Sequence, residues 1–477
     1  MSVFRPWNAI YFAKRMKNSI FVVCKLIIMG LNQLLINMFG KTFSKIALVA
    51  AMLLAGASLY AQDGAFTGFT PYSIFALGDI QNHGSAYNKG MGGVGIATRN
   101  RRYQNYMNPA SITARDSISF MADLSLIQEN KIFSQGDMHS ANNVFNMSNV
   151  ALSFPIYKSS AMMIGLQPNS SVGYMYSYIL DDPEVIGDTG NAVYTSVGNG
   201  GTYKAFAAAG VTFFKRLSLG VEGDLYFGNI AKDNTFTFAK SAYSTIYSGH
   251  GIILNGTSAK FGLQYEQPVG NKTTIGLGAT YSLETNLKGF VEDYRYSSSS
   301  GQNDTIRFHR DTLALMKDGV RIPSELGLGI SVCYDDNLRA EFNYIRSDWT
   351  NSGMDVANGF SVKGASPFST RIAESFRAGV EFVPNRNDIR YYYKTCTYRA
   401  GFYYDKSYFA VDGNQVNDIG VTLGASLPVF RYYNAVTFAV SAGQRSSMAG
   451  NMIRERYVNF TIGINFFDYW FHKVTYN

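Results

Sequence analysis

The sequence predicts an all-β fold: a transmembrane barrel of about fourteen antiparallel strands with an N-terminal hatch or plug segment in its lumen. Three observations lead there. The first is the stretch from Ile322 to Trp349, where two runs alternate apolar and polar residues around Asp335-Asp336-Asn337. Leu326, Leu328, Ile330 and Val332 share one face of the first run, opposite Glu325, Gly327, Gly329 and Ser331. In the second run Leu338, Ala340, Phe342 and Tyr344 oppose Arg339, Glu341 and Asn343. Period two sends successive side chains to opposite faces, so one face can meet lipid and the other a polar lumen. A lone hairpin of this kind fits a soluble sandwich equally well, so recurrence has to decide.

The second observation is that recurrence. From Ser117 onward about fourteen strand candidates alternate in this way, joined by alternately short and long connections. Short links are expected near Lys158 to Ser160, Lys215-Arg216, Gln267 to Lys272, Asp335 to Asn337, Asn385 to Asp388 and Pro428 to Asn434. Long polar loops are expected near Gln128 to Asn146, Asp181 to Thr202, Ala231 to Gly256, Lys288 to Arg321, Ser352 to Glu374, Asp405 to Asp418 and Gln444 to Arg456. Outer-membrane barrels keep that asymmetry, with the short turns periplasmic. The third observation is the sorting of charge. On these registers Asp123, Glu222, Asp224, Lys260, Arg339, Glu341, Arg377, Glu381 and Arg399 all point inward. Leu219, Val221, Leu225, Phe261, Leu263, Leu277, Val380, Val421, Leu423 and Phe438 point outward. A basic side chain on the lipid face costs roughly 2 to 4 kcal/mol at the midplane, so a barrel requires this division.

Taken in chain order, Lys41 and Lys45 precede an apolar run from Ile46 to Gly56 and then small residues up to Ala61, the pattern of a secretory signal peptide. The expected division is an extension over 1–37 upstream of a start at Met38, a signal peptide over 38–61, a hatch over 62–115 and the barrel over 116–477. Removing 1–61 changes the charge reading. That segment holds seven of the 42 Lys and Arg and none of the 34 acidic residues, so the formal +8 falls to about +1 and a nucleic-acid partner loses its support. Beyond the signal peptide no apolar run reaches the ~18 residues a spanning helix needs.

The segment from Gln62 to about Arg115 is rich in Gly and Asn and alternates poorly, as a plug would. A fourteen-stranded ring leaves a lumen to fill. Inward glycines at Gly220, Gly327, Gly329, Gly379, Gly401, Gly420, Gly424 and Gly463 leave room for plug backbone, with kinked or bulged strands as the alternative. Gly90-Met91-Gly92-Gly93-Val94-Gly95 spells G-x-G-x-x-G, but no strand precedes it and no helix follows, so it is not a dinucleotide fingerprint. Within the third strand candidate, Pro168-Asn169-Ser170-Ser171-Val172-Gly173 interrupts the alternation. Proline removes a ladder donor, so a bulge or lateral gap is expected there, or else the strand simply ends.

No catalytic constellation emerges and an enzyme is not expected. His83, His139, His250, His309 and His472 are scattered, Asp335-Asp336 suits a turn, and no Cys/His spacing suggests a metal or other cofactor. Parity puts Cys333 inward and Cys396 outward, against a disulfide.

GMGGVGIA at Gly90 to Ala97 followed by NPAS at Asn108 to Ser111 resembles the N-terminal hatch of the FadL family of outer-membrane transporters. FGLQYEQPVGNKTTIGLGATYS at Phe261 to Ser282, and the Ile322 hairpin with its Ile-Pro entry and Asp348-Trp349 exit, support the likeness, which covers roughly residues 85 to 467. The resemblance implies a fourteen-stranded barrel with a hatch that carries hydrophobic molecules, fatty-acid-like or aromatic, passively into the outer membrane of a Gram-negative cell. In that family the Asn-Pro-Ala motif lies by a kink in the third strand that opens a lateral path. Asn108, Pro109 and Ala110 match it, Gly90, Gly92 and Gly93 belong to the matching hatch, and Pro168 and Gly173 mark the candidate lateral gap. The partners implied are a hydrophobic small molecule or lipid and the outer-membrane lipids. A PorV-like branch of the same superfamily implies a second reading, a subunit or scaffold of a secretion or assembly complex, whose partners would be other outer-membrane proteins. One departure stands out: after the strand Tyr457 to Phe467 the chain runs on through Asp468 to Lys473 instead of ending on an aromatic residue.

Overall fold

The computed structural model describes residues 66–469 apart from 82–83, 116–118, 158, 300–301, 304–306, 313–318, 361–367, 430–433 and 449–451. The expected upstream extension, the signal peptide and the last residues of the chain lie outside the described residues.

Fourteen antiparallel strands form a closed ring. They are β1 Ser119–Gln135, β2 Met138–Tyr157, β3 Ser160–Leu180, β4 Ala192–Phe213 and β5 Leu217–Phe238. Next come β6 Thr245–Val269, β7 Thr273–Ser282, β8 Glu325–Tyr334, β9 Leu338–Asp348 and β10 Ile372–Phe382. The last four are β11 Thr397–Val411, β12 Asn414–Pro428, β13 Ala435–Arg445 and β14 Arg454–Tyr469. Each pairs with its neighbour in sequence, and β1 pairs with β14 from Ser119 opposite Tyr469 to Ser134 opposite Arg454, which closes the ring. The expected strand number and antiparallel order are those observed. Among the described residues no helix is long and apolar enough to cross a membrane.

The two faces sort as alternation requires. Asp123, Glu222, Asp224, Lys260, Glu341, Arg377, Glu381 and Arg399 are buried inside. Leu219, Val221, Leu225, Phe261, Leu263, Leu277, Val380, Val421, Leu423 and Phe438 are exposed outside. Apolar side chains left in contact with solvent all round a ring have one stable surrounding, which is lipid.

The connections differ from the expected short and long loops in two ways. Gln128 to Asn146 is not a loop: β1 and β2 run through it to a turn at Gly136, and β11 and β12 meet at Asp412-Gly413. Above the apolar band both faces of a strand turn polar, so alternation disappears while the backbone ladder continues. The link between β10 and β11, by contrast, is longer than Asn385 to Asp388 and carries the helical turn Tyr392–Thr395. Cys396 follows that turn and is buried, its thiol donating to the Tyr392 carbonyl at 3.5 Å, so strand parity does not govern it.

At the long-loop end an apolar core closes the mouth. Tyr72, Phe75 and Leu77 meet Met354 and Phe360 from the loop after β9, with Ile230, Ile252 and Leu254 from β5 and β6. Ala76 N–H donates to the Phe360 carbonyl at 2.9 Å, and Trp349 lies 4.6 Å from Tyr408.

Candidate functional site

The described residues of 66–115 touch the inner wall around most of the ring, and glycines set the depth at which they sit. A Cβ on Gly401 would stand 2.2 Å from the Gly92 nitrogen, one on Gly379 2.3 Å from the Met91 carbonyl oxygen, and one on Gly424 2.8 Å from the Gly90 Cα. Gly327, Gly329 and Gly463 likewise meet residues 86–97, and Gly220 meets Pro109, whereas Gly420 makes room for the Tyr403 side chain. Gly92 itself has φ +72 with the Ala378 carbonyl oxygen 2.7 Å from where its Cβ would be, so both its conformation and its neighbours exclude a side chain. Gly93, at φ +75, turns the chain beneath the Arg377 guanidinium.

Polar contacts fasten the segment. Arg399 pairs with Glu381 at 3.0 Å, donates to Ser426 Oγ at 2.6 Å and lies over the rings of Tyr87 and Tyr103 at 4.2 and 4.7 Å. Ala97 N–H donates to Glu341 Oε1 at 2.8 Å, and Gly92 N–H to Thr422 Oγ1 at 2.8 Å. Asn108 caps the helical turn Pro109–Ala114 by accepting from Ala110 N–H at 3.0 Å. Its amide donates to the carbonyls of Ile96, Leu263 and Ala279 at 2.9, 3.1 and 3.3 Å. The Asn-Pro-Ala residues therefore lie against Gly220 and Gly262 of β5 and β6, fully buried, and not beside Pro168.

Pro168 and Gly173 lie on β3 just above the last residue pair that joins it to β2. β2 and β3 pair only from Tyr157 opposite Ser160 to Val150 opposite Leu166. Above that, β2 pairs with β1 alone and β3 with β4, with an irregularity between Pro168 and Ser170. Leu166 lies opposite Ala205, and Ala205 opposite the lipid-facing Leu225, so the two strands part within the apolar band. The hatch takes β2's place: Asp79–Ile80 pairs with Ser171–Ser170, Thr70 N–H donates to the Gly173 carbonyl at 2.8 Å, and Gln81 N–H to that of Asn169 at 2.9 Å. A Cβ on Gly173 would fall 1.7 Å from the Gly68 oxygen.

Three cavities are bordered by Gln81. One of about 200 Å³ lies in the lumen between Trp349, Tyr408, Lys204 and Lys260. A second of about 100 Å³ reaches Lys89, Lys131 and Tyr457. The third, about 20 Å³, runs from Lys89 and Met147 to Pro168 and Tyr203 in the notch. Gln81 donates to Ser171 Oγ at 2.9 Å and so stands between lumen and notch. Asp79 beside it pairs with Arg445 at 2.7 Å. Burial opposes ionisation of that carboxyl, but Arg445 and Lys131 overcome it and hold it below its ordinary value. Burial pulls the Lys89 ammonium down to about 8 against the opposing pull of Glu129, and its amine donates to Ser148 Oγ at 2.5 Å. Alternation and motif spacing pointed to the wall residues and to Pro168, but not to Asp79, Gln81 and Lys89, which lie in a segment with no period.

A family model described as BamG matches residues 43–477. The chain belongs to the BamG family. Solved structures share the fold of this BamG-family chain. The CymD monoaromatic hydrocarbon channel is 15% identical with a TM-score of 0.51, over 84% of this chain and 99% of its own. The Ralstonia pickettii toluene transporter TbuX is 17% identical with a TM-score of 0.53, over 80% and 97%. A Pseudomonas aeruginosa FadL homologue is 12% identical with a TM-score of 0.52, over 83% and 100%. The fourteen-stranded barrel expected from the FadL resemblance is thus the one observed. No curated protein sequence matches.

Proposed function

We propose that this barrel sits in the outer membrane of a Gram-negative cell and passes small hydrophobic or amphipathic compounds between its lumen and the bilayer through the β2–β3 notch. The observation that carries this reading is the row of cavities sharing Gln81 and ending at Pro168, where wall pairing has stopped. The apolar core at the mouth deters ions and admits oily solutes by side-chain displacement. The 200 Å³ cavity below it combines Trp349, Ile345 and Tyr408 with Lys204, Lys260 and Arg377, a lining suited to a compact apolar body with a polar or anionic end. Hatch residues 79–81 would swing off β3, and the solute would leave sideways with no energy source but its partition into lipid. CymD and TbuX, which share the fold, are described as channels or transporters of monoaromatic hydrocarbon and toluene.

Ile80 and Ser170 are Cα partners, so a cysteine at each, in a Cys333→Ser, Cys396→Ser background, places a disulfide across the gate. Oxidation should stop uptake of toluene and of a labelled fatty acid by whole cells, and reduction should restore it. Equal uptake in both redox states, or no uptake above a barrel-free control, sinks the proposal. A second reading, a subunit of an outer-membrane assembly complex, is favoured by the buried contacts that fix the hatch to the wall, Arg399 over Tyr87 and Tyr103 and Ala97 N–H on Glu341. A stable stoichiometric complex in mild detergent would support it.

A further inference from the structure

We propose that the unpaired margin of β3 from Tyr174 to Leu180 is a docking edge for an extended strand of another outer-membrane-associated polypeptide. The proposal rests on the complex-subunit reading and specifies its contact. Gly173 turns both its backbone groups away from β4: its carbonyl accepts from Thr70 N–H and its N–H donates to Ser73 Oγ at 3.0 Å. Backbone direction alternates along a strand, so Met175, Ser177 and Ile179 present their N–H and C=O groups on that same side. Among the described residues, pairing there is with β4 only, from Tyr174 opposite Gly198 to Leu180 opposite Ala192. Met175 to Ile179 are exposed on both faces, Met175 at 59% and Ile179 at 63%.

Proteins blunt such margins with charge, proline or bulges. This one, Tyr174-Met175-Tyr176-Ser177-Tyr178-Ile179-Leu180, has none of these, and it carries a ladder of rings in which Tyr178 and Tyr194 lie 5.0 Å apart and Tyr194 and Phe236 4.7 Å. The hatch already adds itself to the lower part of the same edge at Asn169 to Gly173, so strand addition continues an existing interface upward. Neither a lipid chain nor an aromatic solute can supply donors and acceptors at strand spacing. The exposed acidic tip, Asp181, Asp182, Glu184 and Asp188, favours a partner strand flanked by basic residues.

The test is photocrosslinking in intact outer membranes, with benzoylphenylalanine at Tyr176 or Tyr178 and peptide mapping of the adducts. Both positions should capture one segment of one other polypeptide, at sites about two residues apart as strand periodicity requires. Ser177→Pro, which removes a donor from the free side only, should lower the yield about fivefold, as loss of one backbone hydrogen bond would. The heat-modified gel mobility of the folded barrel should not change. Adducts confined to lipid, to a second copy of this chain or to scattered peptides, or a yield indifferent to Ser177→Pro, would overturn the proposal. A complex that co-purifies without these adducts keeps the subunit reading and rejects this edge, and toluene uptake tests the notch reading separately.

Discussion

The hatch seat and the β2–β3 notch are finished in opposite ways. At the seat, inward glycines of β10 and β11 bring wall backbone against hatch backbone, and the Arg399–Glu381 pair is closed off from water beneath two tyrosine rings. At the notch, a two-residue strand and five single hydrogen bonds, made by Thr70, Ser73 and Gln81 alone, hold the hatch to β3, and small cavities lie on both sides. The seat is over-determined and the notch is not. Motion in this molecule should therefore begin at the partly buried residues 79–81 while Tyr72 to Leu77 in the mouth core and residues 86–114 in the seat stay in place, since local opening is drawn from regions with few buried contacts.

The sharpest way to break that contrast is at Arg399. Arg399→Met leaves the Glu381 carboxylate buried without its nearest cation, which costs about 3 to 5 kcal/mol by analogy with other broken buried pairs. Heat or urea unfolding in detergent, read by gel mobility, should show a loss of that size. A loss below about 1 kcal/mol would mean the seat is no firmer than the notch. Gly401→Leu comes next. Its side chain would enter the space of Gly92, and overpacking of this kind costs about 1 to 3 kcal/mol. Protease cleavage after Arg99, Arg101 or Arg102 in outer membranes should rise with it, while the ring, closed by β1 and β14, persists.

Legibility in the sequence follows the same division. Strand number, facing and the lumen charges could be read because a lipid-facing wall forces period two on β5 to β14, so that Leu219 and Glu222 declare their sides without any structure. The inward glycines were legible too, since Gly379 and Gly401 break an otherwise bulky row. Long strands above the membrane were not, because β1 and β2 lose alternation once both faces meet water. The contacts of the segment before β1 were not legible, because Asp79, Gln81 and Asn108 take their partners from strands 90 to 366 residues away. Asn108 shows the limit of motif transfer, since the motif survives while its neighbours are β6 and β7 carbonyls.

Pro168 offers the smallest and most discriminating change. If proline itself parts β2 from β3, Pro168→Ala restores a backbone donor and the strands should pair upward from Val150 and Leu166. The neighbourhood argues otherwise: Asp79, Gln81, Thr70 and Gly68 already occupy that side of β3, and Gly173 lies under the Gly68 oxygen, so β2 cannot zip upward through Asn169 to Gly173 until the hatch leaves. Pro168→Ala should then shift stability by less than about 1 kcal/mol, the worth of one exposed hydrogen bond. Amide exchange in Met138–Asn149 should stay fast on the β3 side. Slow exchange there would assign the notch to proline chemistry rather than to the hatch, and would predict that residues 67–81 are displaced into the lumen in the variant.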